Sequence, residues 1–301
     1  MVFMRVFVTG ASGHIGSPVV AELLESGHTV VGLARSDQSA AKLAAAGAEV
    51  LRGDLDDTDG LAKAATDSDG VIHLAFKHEA MLTGDYGSAV DADLRALAAM
   101  GDALDGSGKP LVSTSGTLMV AGLGRTATEN DTRESGPRVD AENAVIALAG
   151  RGVRPSVIRL PPTVHSSLDH HGFIPVLIGI AREKGAAGYV GDGANRWNAG
   201  HTLDAAHLYR LALESAPAGS RLHAVGDEGI PFREIAEHIG RHAGVPTVSI
   251  APEDAADHFG FLGPLVSMDA PVSSALTQEL LDWKPTHPGL LEDLDEGHYF
   301  R

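Results

Sequence analysis

The chain has 301 residues, 44% of them hydrophobic and 21% charged, which gives ample apolar material for a core in one large or two modest domains. Against 23 basic residues stand 40 acidic ones; the net charge of −17 argues against nucleic acid and against an anionic membrane surface as partners. Cysteine is absent, which excludes disulfides and thiolate chemistry, and no apolar window of about 18 residues predicts a transmembrane helix. The N-terminus enters a strand at once without a signal-peptide pattern, so a cytoplasmic protein is expected.

In chain order, strands are predicted at 3–8, 28–34, 48–51, 70–74, 109–114 and 153–159. Helices are predicted near 14–26, 38–46, 57–67, 85–105 and 138–150. This alternation predicts an α/β fold, a Rossmann-type doubly wound parallel sheet with its ligand at the carboxyl ends of the strands. Residues 1–160 form the expected nucleotide-binding domain. From 161 to 301 the pattern loosens into prolines, histidines and glycines, with helices near 172–184, 203–215 and 231–242 and a glycine-rich turn at 188–194. This portion is expected to be smaller and to bind substrate over the ligand edge.

The first strand runs into Thr9–Gly16, T-G-A-S-G-H-I-G, and then straight into a helix. Gly10, Gly13 and Gly16 allow a tight turn, a close backbone approach to a pyrophosphate and close helix–strand packing. Together with Ser12, His14 and Ile15 they are expected to line the phosphates over the positive end of the helix.

Further blocks carry a family likeness: R-G-D-L at 52–55, V-I-H-L-A at 71–75, L-V-S-T-S-G-T at 111–117, R-L-P-P-T-V-H at 159–165, G-D-G-A-N-R-W-N-A-G-H-T-L-D-A-A at 191–206 and L-T-Q-E-L-L-D-W-K-P at 276–285. In this order and spacing the chain resembles the extended short-chain dehydrogenase/reductases, which include sugar-nucleotide epimerases and dihydroflavonol-type reductases. The resemblance implies a nicotinamide dinucleotide, with Asp54 and Leu55 at the adenine. It further implies that Leu74, Ala75, Phe76, Lys77, Ser113, Pro161 and Pro162 lie along the cofactor. An NAD-preferring site needs an acid at the end of the second strand to bind both ribose hydroxyls. Here that position is Ala34, followed by Arg35 and Ser36, a pair suited to a 2′-phosphate, so NADP(H) is expected.

Most of the family uses Ser/Thr with Tyr-x-x-x-Lys. Ser115 fits the serine, but the aligned helix start puts Arg138 at the tyrosine position and Glu142 at the lysine position. None of the four tyrosines, 86, 189, 209 and 299, precedes a lysine by four residues. A non-standard proton donor is therefore expected, and His165, at the end of L-P-P-T-V-H, titrates in the right range. His78, Thr117, Arg138, Phe173, Tyr189, Arg196, Trp197 and His201 are the expected substrate contacts. The run H-S-S-L-D-H-H at 165–171 matches no zinc signature, and no metal is expected.

The leading expectation is an NADPH-dependent reductase of a small, apolar carbonyl, imine or activated alkene. Two alternatives remain open: epimerase or dehydratase chemistry on a sugar nucleotide, and a non-catalytic NADP(H)-binding redox sensor. The resemblance also implies a homodimer formed through the helices near 85–105 and 138–150.

Overall fold

The computed structural model describes residues 3–78 and 85–301. Seven parallel strands form the main sheet: β1 (Arg5–Thr9), β2 (Thr29–Ala34), β3 (Glu49–Arg52), β4 (Gly70–His73), β5 (Pro110–Gly116), β6 (Arg154–Leu160) and β10 (Ser220–His223). Their spatial order is β10-β6-β5-β4-β1-β2-β3. The order reverses between β1 and β4, and an open α/β sheet binds its ligand at such a switch point. Residues alternate in side along each strand. Val6 and Val8 of β1 pack with Val19, Val20 and Leu23 of α1 (Gly16–Glu25), whereas Phe7 packs on the opposite face with Leu61, Leu97 and Met100. Burial on both faces explains why these strands read as short unbroken apolar runs.

The helices of the second face are α3 (Thr58–Thr66), α4 (Tyr86–Ala103) and α5 (Val139–Ala147); α2 (Asp37–Ala45) follows β2. Beyond β6 the chain forms β7 (Thr163–His165), α6 (Phe173–Lys184), β8 (Ala187–Val190), β9 (Arg196–His201) and α7 (Thr202–Ser215). After β10 come β11 (Asp227–Pro231), α8 (Phe232–Ala243), β12 (Thr247–Ile250) and short helices at Ala275–Leu281 and Leu290–Asp295. A β11-β9-β7 sheet and a β12-β8 pair build the smaller lobe. Its core joins Ile174 and Leu177 of α6, Trp197, and Phe232 and Ile235 of α8.

The expected cut at residue 160 is corrected by this topology. Leu208, Tyr209 and Ala212 of α7 share the first core with α1, and Leu222 of β10 completes the same sheet. Residues 202–223 therefore belong to the layer of the main sheet, and the smaller lobe is assembled from segments on both sides of them. Strands β7 to β12 escaped the pattern because each spans only three to six residues. Among the described residues no helix is long and apolar enough to cross a membrane.

Candidate active site

The turn after β1 is built on contacts that only glycine tolerates. Gly10 has φ +66, and a Cβ there would lie 2.7 Å from the Ala75 nitrogen and 2.9 Å from the Leu74 carbonyl carbon. A Cβ on Gly16 would fall 2.0 Å from the Gly10 oxygen. Gly13 donates its N–H to that oxygen at 3.0 Å, closing the turn. The N–H groups of His14, Ile15 and Gly16 precede the bond from Ser17 N–H to Gly13 O and point to the open N-terminus of α1, where a diphosphate fits. His14 itself reaches Thr202 Oγ1 at 2.9 Å and stands 3.8 Å from Asp169, so its ring faces the start of α7 and the loop after β7.

Under the turn runs a buried polar chain. Thr9 Oγ1 accepts from the N–H groups of Leu74 and Ala75 at 3.2 Å and meets His73 Nδ1 at 2.8 Å. His73 Nε2 reaches Asp93 of α4 at 3.0 Å, and Arg138 Nη1 stands 3.3 Å from the same carboxylate. Arg138 Nη2 donates to the Thr114 carbonyl at 2.8 Å, and its guanidinium covers the Phe76 ring at 4.3 Å. These contacts bring the ends of β1, β4 and β5 into one rigid frame.

After β3, Leu55 is buried and Asp54 exposed. Asp57, not Asp54, caps α3 through the Gly60 N–H at 3.0 Å, which leaves Asp54 with one local turn bond from the Asp56 N–H. Lys77 is held at the rim by Asp56 at 2.6 Å. Ser36 caps α2 through the Ser39 N–H, and Arg35 is exposed beside it. Arg52, opposite Ala34 on β3, donates to the Ser36 carbonyl at 2.6 Å and to Asp37 at 2.8 Å. This second arginine at the β2 edge was missed in the sequence, because only the strand register puts it there.

Ser113 and Ser115 are both buried on β5, and among the described residues the Ser115 hydroxyl has no hydrogen-bond partner. It lies near Glu142 and adds a small share to what favours the ionised carboxylate. Burial alone would raise the Glu142 carboxyl; the two-pronged Arg159 contact at 2.5 and 3.0 Å, joined by Arg221 at 2.7 Å, outweighs it and holds the group below its ordinary range. Arg159 Nη1 continues to His223 at 3.2 Å.

Several expected side chains are placed elsewhere. His165 is fully buried, its Nδ1 bound to Asp293 at 2.8 Å, so it is corrected from proton donor to a support inside the smaller lobe. Trp197 is also fully buried, edge-on to Phe232 with its Nε1 donating to the Leu265 carbonyl, and is core rather than substrate contact. Thr117 is buried and donates to Asn198 at 3.0 Å. Arg196 grips Asp269 through Nε and Nη2 at 3.0 and 2.8 Å, and Tyr189 lies beneath Arg233 on β8. Pro161 is buried and Pro162 half-buried after β6; Phe173 packs on Trp197 at 6.0 Å, and His78 meets the Phe76 ring edge-on at 5.3 Å.

His201 caps α7 through the Leu203 N–H and stacks on His287 at 4.6 Å, while His287 Nδ1 meets Asp204 at 2.8 Å. Burial, reinforced by His165 and His287, pushes His201 down to about 4. An imidazole that resists protonation when folded destabilises the fold as pH falls from about 6.5, where the unfolded chain takes up the proton, towards 4. His201→Asn keeps a capping side chain and removes the titration. The variant is therefore expected to lose less thermal stability than wild type over that pH interval; equal losses would contradict the assignment.

A sequence model of the family described as NAD dependent epimerase/dehydratase matches residues 6–225. The chain belongs to this family. Over 299 residues it is 48% identical to uncharacterized protein C2A9.02 of Schizosaccharomyces pombe, covering 99% of this chain and 100% of that protein. It is 28% identical over 265 residues to the 2-alkyl-3-oxoalkanoate reductase of Stenotrophomonas maltophilia, covering 82% of this chain and 78% of the relative. Among solved structures, DesIV, a dTDP-glucose 4,6-dehydratase from Streptomyces venezuelae with NAD and TYD bound, superposes with a TM-score of 0.78 at 19% identity, covering 99% of this chain and 96% of that one. That likeness is one of fold. The family is one of NAD(P)-binding oxidoreductase folds.

Proposed function

We propose that the chain is an NADPH-dependent reductase of a small, apolar carbonyl, imine or activated alkene. The observation that carries the cofactor choice is the edge of β2 and β3. Ala34 stands where an acid would bind both ribose hydroxyls, and Arg35 follows, with Arg52 directly across the strand pair. Two guanidinium groups and the Ser36 hydroxyl suit a 2′-phosphate, and an acid would repel one. Asp37, which pairs with Arg52, is fully solvent-facing, so an arriving phosphate can displace it from Arg52. The distant likeness to a named ketone-level reductase supports reduction over epimerisation, and an acidic surface does not favour a nucleotide-linked sugar.

When bound, the reduced nicotinamide supplies the hydride. The chain's own residues do the rest. The N–H groups at the start of α1 hold the diphosphate, and the Leu74–Ala75 backbone, pressed against Gly10, sets the floor on which the adenosine half lies. Ser115 offers a buried hydroxyl to the substrate oxygen. Phe76, Leu118, Met119 and Phe173, all half-buried, provide apolar walls that exclude water.

Loss of NADPH absorbance with benzaldehyde, cyclohexenone or a cyclic imine tests the activity. Tight NADPH binding without turnover on any of them would favour the sensor reading. Arg35→Glu tests the cofactor. Removing one charge-assisted contact and adding repulsion is expected to weaken NADPH binding about 10- to 100-fold while leaving NADH binding unchanged. An equal effect on both cofactors would refute the 2′-phosphate site.

A further inference from the structure

The reductase reading leaves the proton unassigned, and the tyrosines divide cleanly on where their hydroxyls point. Tyr209 is fully buried, its hydroxyl 2.7 Å from Thr114 Oγ1. The Tyr299 hydroxyl donates to Asp169 and accepts from the Ser166 N–H. Tyr189 lies on β8 in the smaller lobe, under Arg233. Tyr86 also stands near the carboxyl ends of the central strands, and unlike Tyr209 its hydroxyl is not taken up by a strand residue. It opens α4, seven residues before Asp93 and so on the same helix face, with its ring 6.3 Å from Phe76. Phe76 is in turn covered by the Arg138 guanidinium, which Asp93 and the Thr114 carbonyl hold in place. Among the described residues the Tyr86 hydroxyl has no hydrogen-bond partner, and its ring is half-buried beside Phe76.

We propose that Tyr86 is the proton donor of the reduction and that Arg138 is its positioning and charge-balancing partner, the two coming from separate elements rather than one helix. The assignment rests on the reductase reading. The carbonyl carbon receives the hydride from the reduced nicotinamide, the π pair moves to oxygen, and that oxygen takes the proton of the Tyr86 hydroxyl. Oxidised NADP leaves, and water returns a proton to the phenolate. Burial raises the Tyr86 phenol, Arg138 pulls it back, and the Asp93 carboxylate behind Arg138 opposes that pull. Among the described residues His78, edge-on to Phe76 at 5.3 Å, is a further titratable neighbour. A guanidinium cannot be titrated away at any working pH, so the phenolate stays balanced throughout turnover.

Three proteins decide the matter: Tyr86→Phe, Arg138→Gln and Arg138→Lys. In the cofactor-free protein, near-ultraviolet phenolate absorbance is expected to lose one titrating group in Tyr86→Phe. That group is expected to move to higher pH in Arg138→Gln and to be largely restored in Arg138→Lys. With NADPH and benzaldehyde, Tyr86→Phe is expected to lower kcat by about 100-fold or more with little change in KM or in NADPH affinity. Wild-type turnover that survives in Tyr86→Phe would overturn the assignment and leave the reductase reading standing. NADPH binding without turnover in wild type would overturn both. A phenol titration indifferent to Arg138 would remove the partner's role even where Tyr86 proves essential.

Discussion

Gly16→Ala is expected to abolish nucleotide binding and to lower stability by about 1–3 kcal/mol, the range for a side chain forced into a filled site. Its new Cβ would lie 2.0 Å from the Gly10 oxygen and 2.8 Å from two backbone atoms of Ala11, none of which belongs to a flexible side chain. The turn would have to open, and the N–H groups that face the diphosphate would lose their common direction. Gly10→Ala adds backbone strain to a similar clash, because φ is +66 and the Cβ meets the Ala75 nitrogen. Gly13→Ala is the informative contrast: its nearest obstacle is the Gly10 oxygen at 3.2 Å, so a milder loss is expected. Urea denaturation with NADPH fluorescence titration checks all three. Unchanged affinity in Gly16→Ala would show that the turn does not hold the phosphates.

Glu142→Lys, which writes in the lysine that the family likeness leads one to expect, should not restore anything. It is expected to destabilise the protein by about 3–5 kcal/mol, because the new ammonium replaces the anion shared by Arg159 and Arg221. Arg159 is fully buried on β6 and has no route to water. Replacing both members, Glu142→Met with Arg159→Met, removes the fully buried unpaired charge, leaves only the partly exposed Arg221 without its carboxylate, and is expected to cost less than Glu142→Met alone. A denaturation double-mutant cycle measures this coupling, and a near-zero value would refute the buried pair. The pH dependence has a definite sign. The folded Glu142 carboxyl lies below its ordinary range, so its contribution is present above the unfolded carboxyl pKa and is lost as pH falls through the lower folded value.

The strand–turn–helix opening was legible because every feature needed to read it lies within one short stretch, Val6 to Ser26. The seven-stranded sheet was legible up to β6 for the same reason, each strand announcing itself by a β-branched run. What the sequence hid was spatial. Arg52 reaches the β2 edge only through the register that sets it against Ala34. Tyr86 acquires meaning only from Arg138, which lies 52 positions away and meets it across Phe76. His165 carries the opposite lesson. Its position after β6 suggested the cleft, but the three-residue strand β7 turns the ring inward to Asp293, a partner 128 positions on. Trp197 likewise sits in a recognisable block yet points into the smaller lobe's core.

The order in which the sheet is completed bears on how the protein is made. Helix α1 leaves the ribosome well before the helix that covers it, α7, which is synthesised almost two hundred residues later. Until residue 223 emerges, Val6, Val8, Val19 and Leu23 face a layer that does not yet exist. The nascent first half therefore carries an exposed apolar face through most of its synthesis, the condition under which partly folded chains associate wrongly.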